Sequence, residues 1–186
     1  MKDTSDNSKP KRIIVMGPVG SGKSTQAQLL AKYFNLPHLD MGAKLRALSK
    51  THKEIVRALK VGKLVTDSLT LRIMEEEIGR PSYQRGFVLD GAPRRISQAR
   101  KLPFIPDVVI YLKVSDNVTI ERLLLRGRAD DTQEVIARRL AIYHNQTSPV
   151  LAFFSREGKL LEIDGEPPID VIFQDILHQL KTYPNF

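Results

Sequence analysis

The stretch Gly17-Pro18-Val19-Gly20-Ser21-Gly22-Lys23-Ser24-Thr25 limits what this chain can fold into more than any other. It satisfies the pattern G-x-x-x-x-G-K-[ST] at every fixed position. Its flanks have the right character: Arg12 to Met16 is a short apolar, β-branched run that reads as a buried strand, and Thr25 to Phe34 reads as a helix. Glycines let successive backbone N–H groups turn inward as an anion-binding nest, and the following helix points its positive end at the same spot. The reading is therefore a triphosphate grip, with Lys23 reaching the β- and γ-phosphates and the Ser24 hydroxyl available to Mg²⁺. The candidate contacts are Gly17, Val19, Gly20, Ser21, Gly22, Lys23, Ser24 and Thr25.

Binding alone names no reaction, so the rest of the chain has to narrow it. At 186 residues the length fits one domain with small excursions. A hydrophobic share of 41% and a charged share of 27% are those of a water-soluble globular chain. No apolar run approaches a membrane span, and Met1 to Pro10 lacks the apolar core of a signal peptide, so the expectation is a cytoplasmic protein with a polar tail over residues 1–10. Zero cysteines exclude disulfides and a thiolate zinc site. The net charge of +8 raises nucleic acid as a partner. Part of the excess is Lys9-Pro10-Lys11-Arg12, read as a solvated end, and much of the rest is arginine beside expected loops and helix ends. Planar bidentate donors suit the phosphates of a small nucleotide equally well. With aromatic residues at 6% and no stacking motif among the basic ones, nucleic acid is the minor reading.

Along the chain, Asn35 to Asp40 turns into a short second strand. Helical segments follow at about Ala43 to Ser49, His52 to Leu59 and Thr66 to Ile78. Strands are expected at Gly86 to Asp90, Asp107 to Val114 and Lys159 to Ile163. Helices fill the gaps near Ser97 to Lys101, from Asp116 to Arg126, in one long run after Asp131, and around Ile169 to Leu180. Asp131 with Glu134 has the form of a capping box. Alternating strands and helices predict an α/β fold, a five-stranded parallel sheet of the P-loop NTPase type flanked by helices, with ligands beyond the carboxyl ends of the strands. Taken singly, Arg46 reads as a surface helix arginine and Arg126 as a solvated helix end. Asp90 reads as either a cleft carboxylate or the cap of an Asp-Gly turn, and His38 and His144 read as structural. Spacing does not separate Arg138 from Arg139.

Five stretches taken together resemble the adenylate kinase branch of the nucleoside monophosphate kinases, over nearly the whole length from Lys11 to the last helix. They are Gly17 to Gln26; Met41-Gly42-Ala43-Lys44-Leu45-Arg46; Gly62-Lys63-Leu64-Val65; Gly86 to Arg94 with Gln98-Ala99; and Arg122, Arg126 to Asp131 and Arg138-Arg139-Leu140. The resemblance implies a domain over residues 11–186 with a monophosphate-binding excursion at about 41–73 and a short lid at about 126–137, both hinged. It implies ATP and a nucleoside monophosphate, AMP first, as the substrates of a monomeric enzyme. Its catalytic residues would be Lys23, Arg94, Arg128 and Arg139, and Arg122 would lie along the adenine of ATP. Met41, Arg46, Leu64, Val65, Gly91, Arg94 and Gln98 would hold the monophosphate, and Ser24 with Asp90 the Mg²⁺.

The chain also departs from the family pattern. Ser24 stands where the family usually has Gly, Met41 where a Thr is usual, Ala43 for Asp and Ala92 for Phe. A methionine donates no hydrogen bond, so the acceptor side is where selectivity is open. The alternatives are a UMP or CMP kinase, or a non-catalytic nucleotide-binding regulatory or nucleic-acid-associated protein.

Overall fold

A computed structural model describes residues 10–127, 132–184 and 186. The polar tail expected at the start, apart from Pro10, lies outside the described residues, as do Arg128 and Asp131. The first strand, β1 (Lys11–Met16), leads through the glycine-rich loop into α1 (Lys23–Phe34). There follow β2 (His38–Asp40), α2 (Met41–Leu48), α3 (Lys53–Lys60), α4 (Asp67–Ile78), β3 (Gly86–Asp90), α5 (Ile96–Ala99), β4 (Val108–Lys113), α6 (Asp116–Arg126), α7 (Gln133–Ile142), α8 (Ser148–Arg156), β5 (Leu160–Asp164) and α9 (Ile169–Lys181). The strands form one sheet in the order β2-β3-β1-β4-β5, every pairing parallel. No helix among the described residues is long and apolar enough to cross a membrane.

The side-chain period of two splits the core. Along β1, Ile13 and Val15 pack on one face with Ala27 and Leu30 of α1 and Ile172 and Ile176 of α9. Ile14 and Met16 pack on the other with Ile55, Leu69, Ile73, Val150 and Phe154. β3 is buried at every residue, as a central parallel strand covered on both faces must be. A smaller cluster of Leu123, Ile136 and Leu140 joins α6 to α7 and carries Val19 of the glycine-rich loop against it.

Several local expectations shift. Lys11 and Arg12 are not a solvated end but the start of β1: Lys11 Nζ donates to the Phe186 carbonyl at 2.8 Å and Arg12 N–H to Asp107 Oδ2 at 2.8 Å. The cap of α7 is Thr132, whose side chain accepts from Val135 N–H at 3.4 Å, so the helix starts one turn position later than the Asp131 reading. The long run after it is not one α-helix. Residues Tyr143–Thr147 widen into a π-turn before α8, whose first turn contains Pro149. Proline has no N–H to give to the carbonyl four residues back, which breaks the regular ladder there.

Candidate active site

The glycine-rich loop emerges from the end of β1, the central strand, and the two strands beside it toward β2 end level with it: Val15 pairs with Asp90 and Asp90 with Asp40. A cavity of about 490 Å³ opens above these ends. Its floor is Gly17, Gly20, Gly22, Lys23, Ser24 and Thr25, with Val19 at the side. The opposite wall comes from α2 to α4, the loop after β3 and α5, through Gly42, Arg46, Leu64, Val65, Thr70, Gly91, Arg94 and Gln98. Arg122, Arg126 and Arg139 enter from α6 and α7. Residues separated by more than a hundred positions thus meet in one cleft, the outcome expected of an open parallel sheet.

The loop's geometry depends on glycine at Gly20, where φ is 86° and an added Cβ would lie 2.9 Å from the Thr119 carbonyl oxygen. Inside the loop, Lys23 Nζ donates to the Pro18 carbonyl at 3.1 Å. Enclosure in the cleft, reinforced by Arg94 and Arg126 against the pull of Asp90 and Asp40, lowers its pKa from 10.5 to about 8. Arg94 donates Nε–H to the Gly91 carbonyl at 2.8 Å. Its pKa too is pushed down, first by burial and then by Arg139 and Arg46, with Asp90 and Asp40 opposing. Cations crowded this closely, with Asp90 and Asp40 offsetting only part of their charge, are poised for a polyanion.

Asp90 is 1% exposed. Burial alone would raise its pKa, but the His38 ring, the Lys23 ammonium and the Ser24 hydroxyl outweigh it and hold the carboxyl below the usual range. Asp90 Oδ2 lies 3.4 Å from His38 Nε2 and has no hydrogen-bond partner. An ionised carboxylate oxygen without a hydrogen bond, near a hydroxyl on the cavity wall, fits a hard divalent cation such as Mg²⁺. Neither histidine is as isolated as the chain order suggests, since His144 Nε2 sits 2.9 Å from Asp116 Oδ2.

Two expected contacts are not on the cavity wall. Met41 has no exposed surface and belongs to the core with Leu39, Leu89 and Ala92, leaving the wall there to Gly42. An unbranched apolar side chain at the start of α2 gains more by burial than by facing polar ligands. Ser21 is likewise fully buried, and its N–H donates to the Pro18 carbonyl at 3.2 Å. Arg128 lies outside the described residues. Arg122 lines the cavity and also tethers the loop after β5, donating to the carbonyls of Gly165 and Glu166 at 2.8 Å each. The neighbours Arg138 and Arg139 separate clearly: Arg139 faces the cavity, whereas Arg138 Nη1 donates to the Val61 carbonyl at 2.6 Å, at the end of α3.

Arg126, set aside as a solvated helix end, lines the cavity together with Arg122. The two are one helical turn apart, so their spacing of four was the available signal. Asp40 reaches the wall from the carboxyl end of β2, where the chain order places it, and Thr70 and Tyr143 reach it without any motif to announce them.

The family model described as adenylate kinase matches residues 15–159. Among curated relatives, Adenylate kinase 1 of Synechocystis sp. is 40% identical over 182 residues, covering 92% of this chain and 97% of the relative. Adenylate kinase 1 of Nostoc sp. is 38% identical with the same coverage. The adenylate kinase of Stenotrophomonas maltophilia is 35% identical and covered along its whole length. A phosphate loop facing an arginine-lined wall across one cleft, in a chain matched this extensively, is the mark of a phosphotransferase, a nucleoside monophosphate kinase: the chain belongs to the adenylate kinase family.

Proposed function

We propose that the chain catalyses ATP + AMP ⇌ 2 ADP with Mg²⁺, as a monomer in the cytoplasm. The observation that carries this reading is the two-sided cleft. The phosphate loop with Lys23 supplies one anion grip, Arg46 and Arg94 supply a second across from it, and Arg126 and Arg139 reach in from a third side. One polyanion would need one grip; transfer between two needs both, because their mutual repulsion has to be offset while acceptor and donor are brought into line.

In this reading the loop N–H groups and Lys23 hold the triphosphate, and Arg122 lies along its base. Arg46 and Arg94 hold the acceptor phosphate, one oxygen of which attacks the γ-phosphorus as the bond to the β-phosphate oxygen breaks, giving ADP on both sides. Lys23, Arg94, Arg139 and, by the family likeness, Arg128 stabilise the charge that spreads over the transferring oxygens. Ser24 and Asp90 would hold Mg²⁺, which would supply further neutralisation of the phosphate charge. Leu64, Val65 and Gln98 form the side of the pocket suited to a planar base with one polar edge, and Gly91 lets the chain turn close beneath it. Residues 41–73 are the part that would move to exclude water; the expected lid loop, Arg126 to Asp131, lies mostly outside the described residues.

The test is a coupled assay of the purified protein with ATP and a panel of monophosphates. AMP-specific turnover is expected. A preference for UMP or CMP would replace the reading with a pyrimidine kinase, and nucleotide binding without transfer to any acceptor would overturn catalysis altogether.

A further inference from the structure

Asp67, the first residue of α4, accepts side-chain donors from the segment that follows β3. They are the Ser97 hydroxyl, Arg95 Nη1 at 2.7 Å and Gln98 Nε2 at 2.9 Å. Arg95 is itself held in place by Gln146 Oε1 at 2.9 Å and the Val65 carbonyl at 3.2 Å, so the carboxylate is fixed from several sides. Gln98 is 2% exposed, and its Oε1 accepts the Arg94 N–H at 2.7 Å.

A carboxamide can turn end for end with little steric change, because its oxygen and nitrogen are similar in size. At Gln98 that half-turn would set Oε1 against a carboxylate and the NH₂ group against an N–H, making both contacts repulsive. The amide order is therefore locked. One hydrogen on Nε2 and one lone pair on Oε1 are left over, and the side chain lines the cavity near Leu64, Val65 and Thr70.

We propose that Asp67 is a specificity-determining positioning residue: by accepting one Gln98 hydrogen it fixes which end of the amide donates into the acceptor pocket. It thereby favours a base with an amino group beside a ring-nitrogen acceptor over one with a carbonyl beside a ring N–H. The proposal rests on the reading of the Gln98 side of the cleft as the acceptor-base pocket. Adenine and hypoxanthine are the informative pair, since they share a shape and differ by exchanging donor and acceptor along that edge. A locked amide leaves the wrong base with buried unpaired groups, which corresponds to about 10- to 10²-fold in discrimination.

The experiment measures kcat/KM for AMP and for IMP at saturating ATP in the full chain, in wild type, Asp67→Asn and Ser97→Ala. An asparagine at this position can turn its own amide and so removes one of the two contacts that oppose the half-turn of Gln98, leaving only the Arg94 N–H against it. The expected result is a fall of at least about tenfold in the AMP-to-IMP ratio for Asp67→Asn, with KM for ATP within about twofold of wild type. Ser97→Ala removes a donor to the same carboxylate without releasing Gln98 and keeps the ratio. An unchanged ratio in folded Asp67→Asn, or an equal fall in Ser97→Ala, overturns the proposal. Should the asparagine variant fail to fold, Asp67→Ser carries the same expectation. Failure of the underlying reading looks different: Gln98→Leu would then leave KM unchanged for every monophosphate.

Discussion

Replacing Lys23 with methionine should cripple turnover while making the protein more stable at neutral pH. The stability argument starts from the lysine's pKa, lowered in the fold from 10.5 to about 8. A base whose folded pKa lies below its unfolded value is penalised for being charged. The penalty is present in full below pH 8, shrinks as pH rises from 8 toward 10.5, and is absent above that. At about 1.36 kcal/mol per unit the full shift corresponds to about 3 kcal/mol. The cleft is open enough for solvent to reduce this, and the hydrogen bond to the Pro18 carbonyl, about 1 kcal/mol, is lost with the ammonium. A net gain of about 1–2 kcal/mol remains, which for a chain of this size raises the melting midpoint by about 2–8 °C. Turnover should fall at least about 10²-fold, the scale for removing one charge that stabilises the transferring group. Thermal melts of both proteins between neutral pH and pH 10, beside a coupled kinase assay, test the two halves. A lower midpoint for Lys23→Met at neutral pH, or a gain that persists undiminished at pH 10, would refute the electrostatic account. Unchanged turnover would refute the catalytic one.

Arg94→Ala should weaken the acceptor side chiefly, raising KM for AMP by about 10- to 10²-fold for the loss of one charge-assisted contact, with KM for ATP little changed; equal weakening of both substrates would contradict that assignment. Met41→Thr should lower stability by about 2–3 kcal/mol without sharpening base choice, because the side chain is fully buried in the core and off the cavity wall. Denaturant titration with the monophosphate panel checks it, and a selectivity shift would count against the burial argument. The Asp67 carboxyl is raised by burial but lowered more by Ser97, Arg95 and Gln98, so its folded pKa lies below 3.8. The stability it contributes is present above that value and lost as pH falls through the folded one. Melting midpoints of Asp67→Asn should therefore fall less steeply than wild type below about pH 4; parallel curves would show that the carboxylate is not stabilised by the fold.

The parts of this fold that follow from short-range rules were legible in the sequence. β3 and α6 begin and end at the expected bounds, Gly86 to Asp90 and Asp116 to Arg126, and the five-stranded parallel sheet follows from the alternation. The phosphate loop was legible because its pattern is a backbone requirement. What the chain order hides is which side of an element meets which neighbour. Arg138 and Arg139 are adjacent, yet a rotation of about 100° per helical residue sends one to the Val61 carbonyl and the other to the cavity. Met41 carries the right position for a ligand contact and the wrong chemistry, and packing decided it. His38 meets Asp90 only because β2 and β3 lie side by side, a pairing across some fifty positions that no local pattern encodes.

The hydrogen bond from Arg138 to the Val61 carbonyl joins the α7 flank of the cleft to the α3 tip, and a Cβ added at the neighbouring Gly62 would lie 3.5 Å from Val135 Cγ1, so the two segments lie close together. Both partners are the protein's own atoms, so this seam can form before any nucleotide arrives. If residues 41–73 swing as proposed, a seam of that kind would bias the resting population toward the shut arrangement. Substrates would then find their walls already assembled, while products would wait for the same bond to break. Strengthening it would favour tight holding and slow exit; loosening it would favour rapid traffic at weaker affinity. One backbone carbonyl at the end of an eight-residue helix would thus be a tuning point for the rhythm of that motion, remote from any atom that changes hands.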